Sequence, residues 1–160
     1  MRVPADVQAT FAATLVDEWV RCGVAHAVLA PGSRSTPLAL ALGAAAQAGR
    51  LVLHVRVDER SAGFLAVGLG LATSGPAVVV TTSGTAAVEL HPAVVEAHHS
   101  RVPLIACTAD RPDELHHVGA PQTVEQVGLY GGAVRFAVAP GVPDPATAPM
   151  WRSLGARLVA

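Results

Sequence analysis

Apolar positions recur along this chain with two alternating periods. Phe11, Leu15, Val16, Trp19 and Val20 fall at helical spacing and Gly23 supplies a C-terminal cap, so the pattern predicts a first amphipathic helix. Residues 27–30 form a short buried-strand run. A Pro-Gly turn then leads into a helix over about 37–47, with Pro37 at its first position. Residues 51–57 read as a second strand, 61–72 as a closely packed Gly/Ala/Leu helix, 76–82 as a third strand and 84 to about 99 as a fourth helix. A strand over 103–108 follows, its proline at the start where a missing N–H matters least.

Past Thr108 the pattern weakens. Residues 109–122 are irregular and polar, as a ligand-contacting loop after a strand is. A short helix is expected over 124–130, a further strand over 134–138, a linker over 139–145 and the start of a helix near 150. Strand–helix units at roughly 25-residue spacing require a parallel sheet with right-handed crossovers. The expected fold is α/β and doubly wound, a mostly parallel sheet of about six strands with helices on both faces.

Composition narrows the function. A chain of 160 residues, 51% hydrophobic and 14% charged, suits one domain with a substantial core and excludes disorder. A net charge of −1 without a basic run makes nucleic acid and anionic membrane poor partners. All 11 basic residues are Arg, which excludes lysine Schiff-base and Walker-lysine chemistry. Cys22 and Cys107 lack metal-ligand spacing and read as free thiols. Neither a secretion core nor a membrane-length apolar stretch is seen, so a cytoplasmic protein is expected.

Candidate chemistry sits where strands end. Val57-Asp58-Glu59-Arg60 puts a carboxylate at the carboxyl edge of the sheet, where open α/β sheets bind ligands. There Glu59 can exchange a proton with a bound heterocycle, or simply favour a helix N-terminus. Pro31-Gly32-Ser33-Arg34 offers turn N–H groups and a guanidinium to a carboxylate; read alone, it is equally a turn with an exposed Arg. Asp110-Arg111-Pro112 brings a second guanidinium to the same edge, or an Asp–Arg surface pair. In the small-residue turn 81–85, Ser83 is placed to cap the next helix. Ser33 lacks a nucleophile elbow, and Gly68-x-Gly70 lies inside a helix, not in a dinucleotide turn. His98-His99 and His116-His117 point apart as neighbours do, so no metal ligand is assigned.

Together these segments resemble the N-terminal pyrimidine-binding domain of thiamine-diphosphate enzymes, over about residues 10–138. Pro-Gly-Ser-Arg and Ala-Asp-Arg-Pro resemble in particular the carboligase family of menaquinone biosynthesis; the Glu59 element is shared more widely. The resemblance implies thiamine diphosphate as cofactor, with Mg²⁺ or Mn²⁺. It implies that Glu59 is catalytic, hydrogen-bonding N1′ of the aminopyrimidine and favouring its imino tautomer, while Asp58 is a structural cap. It implies that Ser33, Arg34, Arg111 and Gln122 bind substrate, and that Thr82 and Ser83 approach the cofactor. The implied substrates are 2-oxoglutarate, which is decarboxylated, and isochorismate, which accepts the succinyl carbanion equivalent. A homodimer or tetramer is implied as the assembly.

Gly119-Ala120-Pro121-Gln122 departs from the family pattern, which has Asn before the Gln; Pro121 offers neither an amide side chain nor an N–H. The resemblance divides the chain into a pyrimidine-binding domain, 1–138, and a linker with the start of a helix, 139–160. A Gly-Asp-Gly metal motif with its Asn is not found, so the metal ligands are expected in a following domain and the isolated chain is expected to be inactive. Two other readings stay open: a non-catalytic α/β anion-binding or regulatory domain, and the pyrimidine domain of another thiamine enzyme such as an acetolactate-type synthase.

Overall fold

The short apolar runs become strands β1 (His26–Leu29), β2 (Val52–Val55), β3 (Ala77–Thr81) and β4 (Leu104–Thr108). In the computed structural model, which describes residues 4–160, they form one parallel sheet of order β2-β1-β3-β4. His26 stands opposite both Val52 and Ala77, and Thr81 opposite Thr108, so the strands end nearly level. Helix α1 (Pro4–Arg21) precedes β1; the crossovers are α2 (Thr36–Gln47), α3 (Glu59–Thr73) and the pair α4 (Thr85–Glu89) and α5 (His91–Ser100); α6 (Trp151–Val159) follows later. Among the described residues no helix is long and apolar enough to cross a membrane.

Strand alternation sorts the core into two layers. Ala27, Leu29, Val78, Val80 and Ile105 pack with Leu15, Val16 and Trp19 of α1 and Leu42 of α2. Val28, Ala30, Ala77 and Val79 face the other way, onto Ala62 and Ala66 of α3 and Val94 of α5. Every residue of β3 is buried, as expected of a central strand covered on both faces. The helix expected near 150 is α6, which packs back on α1. Phe11 meets Trp151 edge-on at 5.2 Å, and the Asp17 carboxylate accepts from Arg152 at 2.8 Å and Arg50 at 2.7 Å. Those two guanidiniums, Arg152 foremost, hold the Asp17 carboxyl below its usual range.

The doubly wound parallel architecture is as expected, but the sheet has four strands where about six were anticipated. Residues 134–138 join no ladder: Ala133 and Val134 pack against the α3-side core, and Phe136 lies under the Arg157 guanidinium at 4.3 Å. Side-chain contacts thus use the apolar positions that suggested a strand. Residues 124–126 are irregular and 127–130 form a turn, not a helix, because Gly128 takes a left-handed φ of 75° that stops helical propagation. The single helix expected over 84–99 is interrupted at Leu90, since Pro92 has no N–H to donate to the preceding turn and sits instead in the first turn of α5.

On the α3 face of the edge pair, His26 Nδ1 and His54 Nε2 lie 3.3 Å apart across β1 and β2. Burial, then the positive charges of His26 and Arg56, lower the His54 pKa from its ordinary 6.5. The folded chain therefore resists a proton that the unfolded chain accepts, so stability is complete above that value and is lost as pH falls through it. We expect the urea midpoint to drop between about pH 7 and pH 5, and His54→Gln to flatten that slope. Asp17 contributes only at lower pH, in the carboxylate range. A wild-type midpoint independent of pH in the histidine window would contradict this account.

Candidate active site

From β1 the chain crosses to β2 on one side and later enters β3 on the other, so the turns after β1 and β3 diverge and open a crevice between them. The β1 turn is built tightly. Ser35 N–H and Oγ donate to Gly32 O at 3.2 and 3.0 Å, and Thr36 Oγ1 donates to Ser33 O at 2.7 Å. Gly32 is extended, but a Cβ there would overlap the Thr82 side chain; its hydrogen is what lets the two turns touch. The Ser33 side chain is left at the surface and Arg34 is half-buried.

The β3 turn carries buried polar groups: Thr81 and Ser83 are 0% exposed and Thr82 8%. Ser83 does not cap α4, whose first turn follows Gly84 without a side-chain cap. Instead its hydroxyl accepts from Arg34 Nη1 at 3.3 Å and donates to Gln122 O at 2.9 Å. Gln122 closes the circuit, its Nε2 donating to Ser83 O at 3.1 Å and Thr82 Oγ1 at 3.4 Å. Gln122 holds a left-handed φ of 58° and Gly84 one of 82°; a Cβ on Gly84 would lie 3.1 Å from Gln122 O. The two backbones are therefore in direct contact.

Arg111 reaches the same loop, its Nη2 donating to Pro121 O at 3.0 Å. Pro121, which lacks an N–H, thus contributes its carbonyl. The alternative, an Asp110–Arg111 surface ion pair, is not what forms. Asp110 Oδ1 accepts the Arg111 backbone N–H at 2.7 Å and lies 3.6 Å from His116 Nε2. Arg111 Nε is buried without a partner. Among the described residues the ion pairs lie elsewhere, leaving Arg34 and Arg111 without a carboxylate. Two contacts that sequence reasoning missed pin the loop to the sheet edge: Gln126 Nε2 donates to Ala109 O at 3.0 Å and Tyr130 OH to Ala87 O at 2.8 Å. A Gln and a Tyr in a polar, turn-rich segment were the only signal.

Glu59 opens α3 at the same carboxyl edge. Its neighbour does the capping: Asp58 Oδ1 accepts from Ser61 N–H at 2.7 Å, and that bond leads the causes that keep the Asp58 carboxyl below its usual range. Glu59 is half-buried, and among the described residues its carboxylate makes no hydrogen bond. The structure thus joins Arg34, Thr82, Ser83, Arg111 and Gln122 through hydrogen bonds, with Ser33 on the same turn. Glu59 opens α3 after β2, and β2 lies two strands from β3, roughly 10 Å by ordinary strand spacing.

Comparison with known proteins identifies the family. The family described as "Thiamine pyrophosphate enzyme, N-terminal TPP binding domain" matches residues 9–129. Proteins named 2-succinyl-5-enolpyruvyl-6-hydroxy-3-cyclohexene-1-carboxylate synthase are similar to most of the chain. The one from Saccharopolyspora erythraea is 63% identical over 78% of this chain and 22% of its own length. That from Thermobifida fusca is 58% identical over 91% of this chain and 26% of its own. That from Mycobacterium avium is 50% identical over 94% and 29%. The chain therefore spans between a fifth and a third of the length of these relatives. With the family matched over most of its residues and the crevice built from the turns of a parallel α/β sheet, the chain belongs to the thiamine pyrophosphate enzymes and carries their N-terminal TPP-binding domain.

Proposed function

We propose that this chain forms the pyrimidine-binding side of the active site in a carboligase that decarboxylates 2-oxoglutarate and joins the succinyl fragment to isochorismate. The observation that carries the reading is electrostatic. Among the described residues two half-buried guanidiniums without carboxylate partners converge on one crevice, and Glu59, a carboxylate that caps nothing, opens α3 on the same sheet edge. Substrates bearing several carboxylates need such positive charge, and Arg recognises a planar carboxylate through two parallel N–H groups. The names of the relatives and the family match support the choice of reaction.

The residues present fit the cofactor's pyrimidine ring. Glu59 is an unpartnered, half-buried carboxylate at a strand end, able to hold a proton against a ring nitrogen. When bound, thiamine diphosphate supplies the carbon nucleophile that releases CO₂ from a 2-oxo acid and carries the acyl fragment onward. This chain's own part is to keep that proton at N1′ with Glu59 and to wall the crevice with Thr82 and the Ser83 turn. Arg34, Arg111 and the exposed Ser33 hydroxyl orient the substrate carboxylates. Gln122, whose Nε2 is committed within the chain, offers its Oε1 to a substrate hydroxyl. In this reading residues 1–138 are the pyrimidine domain, and a second domain holds the diphosphate with Mg²⁺ or Mn²⁺ in a homo-oligomer.

The division of labour between Asp58 and Glu59 is directly testable. In the complete enzyme, supplied with thiamine diphosphate, Mg²⁺, 2-oxoglutarate and isochorismate, Glu59→Gln should lower turnover roughly 10²- to 10⁴-fold with an unchanged melting temperature. Asp58→Ala should do the reverse, lowering the melting temperature while most turnover remains. Full turnover in Glu59→Gln would remove the assigned role. Arg34→Ala should raise the KM of a carboxylate substrate by about 10- to 100-fold, the worth of one charge-assisted hydrogen bond, with a smaller effect on kcat. An unaltered KM for both substrates would take Arg34 out of the site.

A further inference from the structure

The Ser83 hydroxyl holds an unusual place in this crevice. It is fully buried, and among the described residues it alone hydrogen-bonds both the Arg34 guanidinium and the backbone of the 119–123 loop, accepting at 3.3 Å from one and donating at 2.9 Å to the other. A hydroxyl can do both at once, because it carries one donor and two acceptor lone pairs. We propose that Ser83 is a positioning residue whose hydroxyl couples occupancy of the Arg34 guanidinium to the position of the loop that carries Gln122. The proposal rests on the reading of Arg34 as a carboxylate ligand.

The physical chain has three links. A carboxylate arriving at Arg34 draws the guanidinium towards itself, and the long 3.3 Å bond to the neutral Ser83 hydroxyl yields, since an ionised acceptor holds the donors more strongly. Relieved of the Arg34 donor, the Ser83 hydroxyl reorients, and its bond to Gln122 O adjusts with it. That carbonyl belongs to a backbone in contact with Gly84 and held left-handed, so a shift passes to Gln122 and to Pro121, whose carbonyl Arg111 also holds. Both guanidiniums thereby touch one loop, Arg111 directly and Arg34 through Ser83. Gln122 Nε2, bonded to the Ser83 carbonyl, keeps the side chain in step with the main chain. A carboxylate on Arg34 would thus adjust Gln122, the residue assigned to a substrate hydroxyl.

The test uses the isotope-labelled protein titrated with 2-oxoglutarate alone, with chloride at matched ionic strength as control. It follows the Arg34 Nε–H resonance and the backbone amides of Gln122 and Thr123. In the wild type all three should move with one midpoint. In Ser83→Ala the Arg34 resonance should still titrate while the loop amides no longer follow. A second variant does not depend on Ser83→Ala folding: Arg34→Met lacks the donor. Without ligand, its Gln122 and Thr123 amides should be displaced from the wild-type positions towards those of the saturated wild type. Loop amides that track Arg34 in Ser83→Ala, or that are unmoved in Arg34→Met, overturn the coupling and leave Arg34 as a carboxylate ligand. A wild-type Arg34 resonance indifferent to 2-oxoglutarate overturns that assignment as well.

Discussion

The arrangement depends on β3 being buried on both faces. Ala77, Val78, Val79 and Val80 are each at most 1% exposed, so helices must cover both sides of the sheet. Parallel strands can be joined only by crossovers that return the chain to the same starting edge. Every turn that follows a strand therefore lies on one edge, and β1 and β3, neighbours whose outgoing connections run to opposite sides, open the crevice there. Segments some 25 to 50 residues apart in sequence, such as Arg34, Glu59 and Ser83, reach one edge for this reason. The site is a consequence of topology before any side chain contributes chemistry.

Within that frame the charges are kept apart by assignment of tasks. Adjacent carboxylates do different work: Asp58 is tied to the Ser61 N–H and caps α3, which leaves Glu59 without a partner. The same separation recurs at Asp110 and Arg111, where the carboxylate takes a backbone N–H and frees the guanidinium. On the far side of the molecule Asp17 does the opposite, accepting from Arg50 and Arg152 and tying α6 to α1. Arg50 and Arg152, which tie the fold together, are thus paired with carboxylates, and among the described residues Arg34 and Arg111 at the crevice edge are not. The cysteine between the layers stays out of this chemistry, since burial pushes the Cys107 thiol up to about 12 and keeps it protonated.

Much of this was legible in the chain, and the parts that were not have identifiable causes. Helical spacing at Phe11, Leu15 and Trp19, and the apolar runs that became β1 to β4, are burial patterns, and burial is what these layers are made of. Residues 134–138 have the same alternation, but Val134 and Phe136 spend it on side-chain contacts, a choice periodicity does not encode. The α4–α5 break was written plainly in Pro92. At the site, residue types after strand ends identified Glu59, Arg34 and Arg111 as candidates. The Ser83 link was not readable, because it joins a hydroxyl to a main-chain carbonyl 39 residues away and no side-chain pattern records such a bond. Capping was the local expectation for Ser83, and a tertiary partner displaced it.

The central claim is that the carboxyl-edge crevice between the β1 and β3 turns, flanked by Glu59, is where this chain meets its ligands. A crystal structure of the complete enzyme with thiamine diphosphate, Mg²⁺ and 2-oxoglutarate tests it most directly. The account predicts the aminopyrimidine with its N1′ within hydrogen-bonding distance of a Glu59 carboxylate oxygen, and a 2-oxoglutarate carboxylate on the Arg34 guanidinium. An aminopyrimidine bound away from this edge, with Glu59 in solvent and no anion at Arg34, would contradict it.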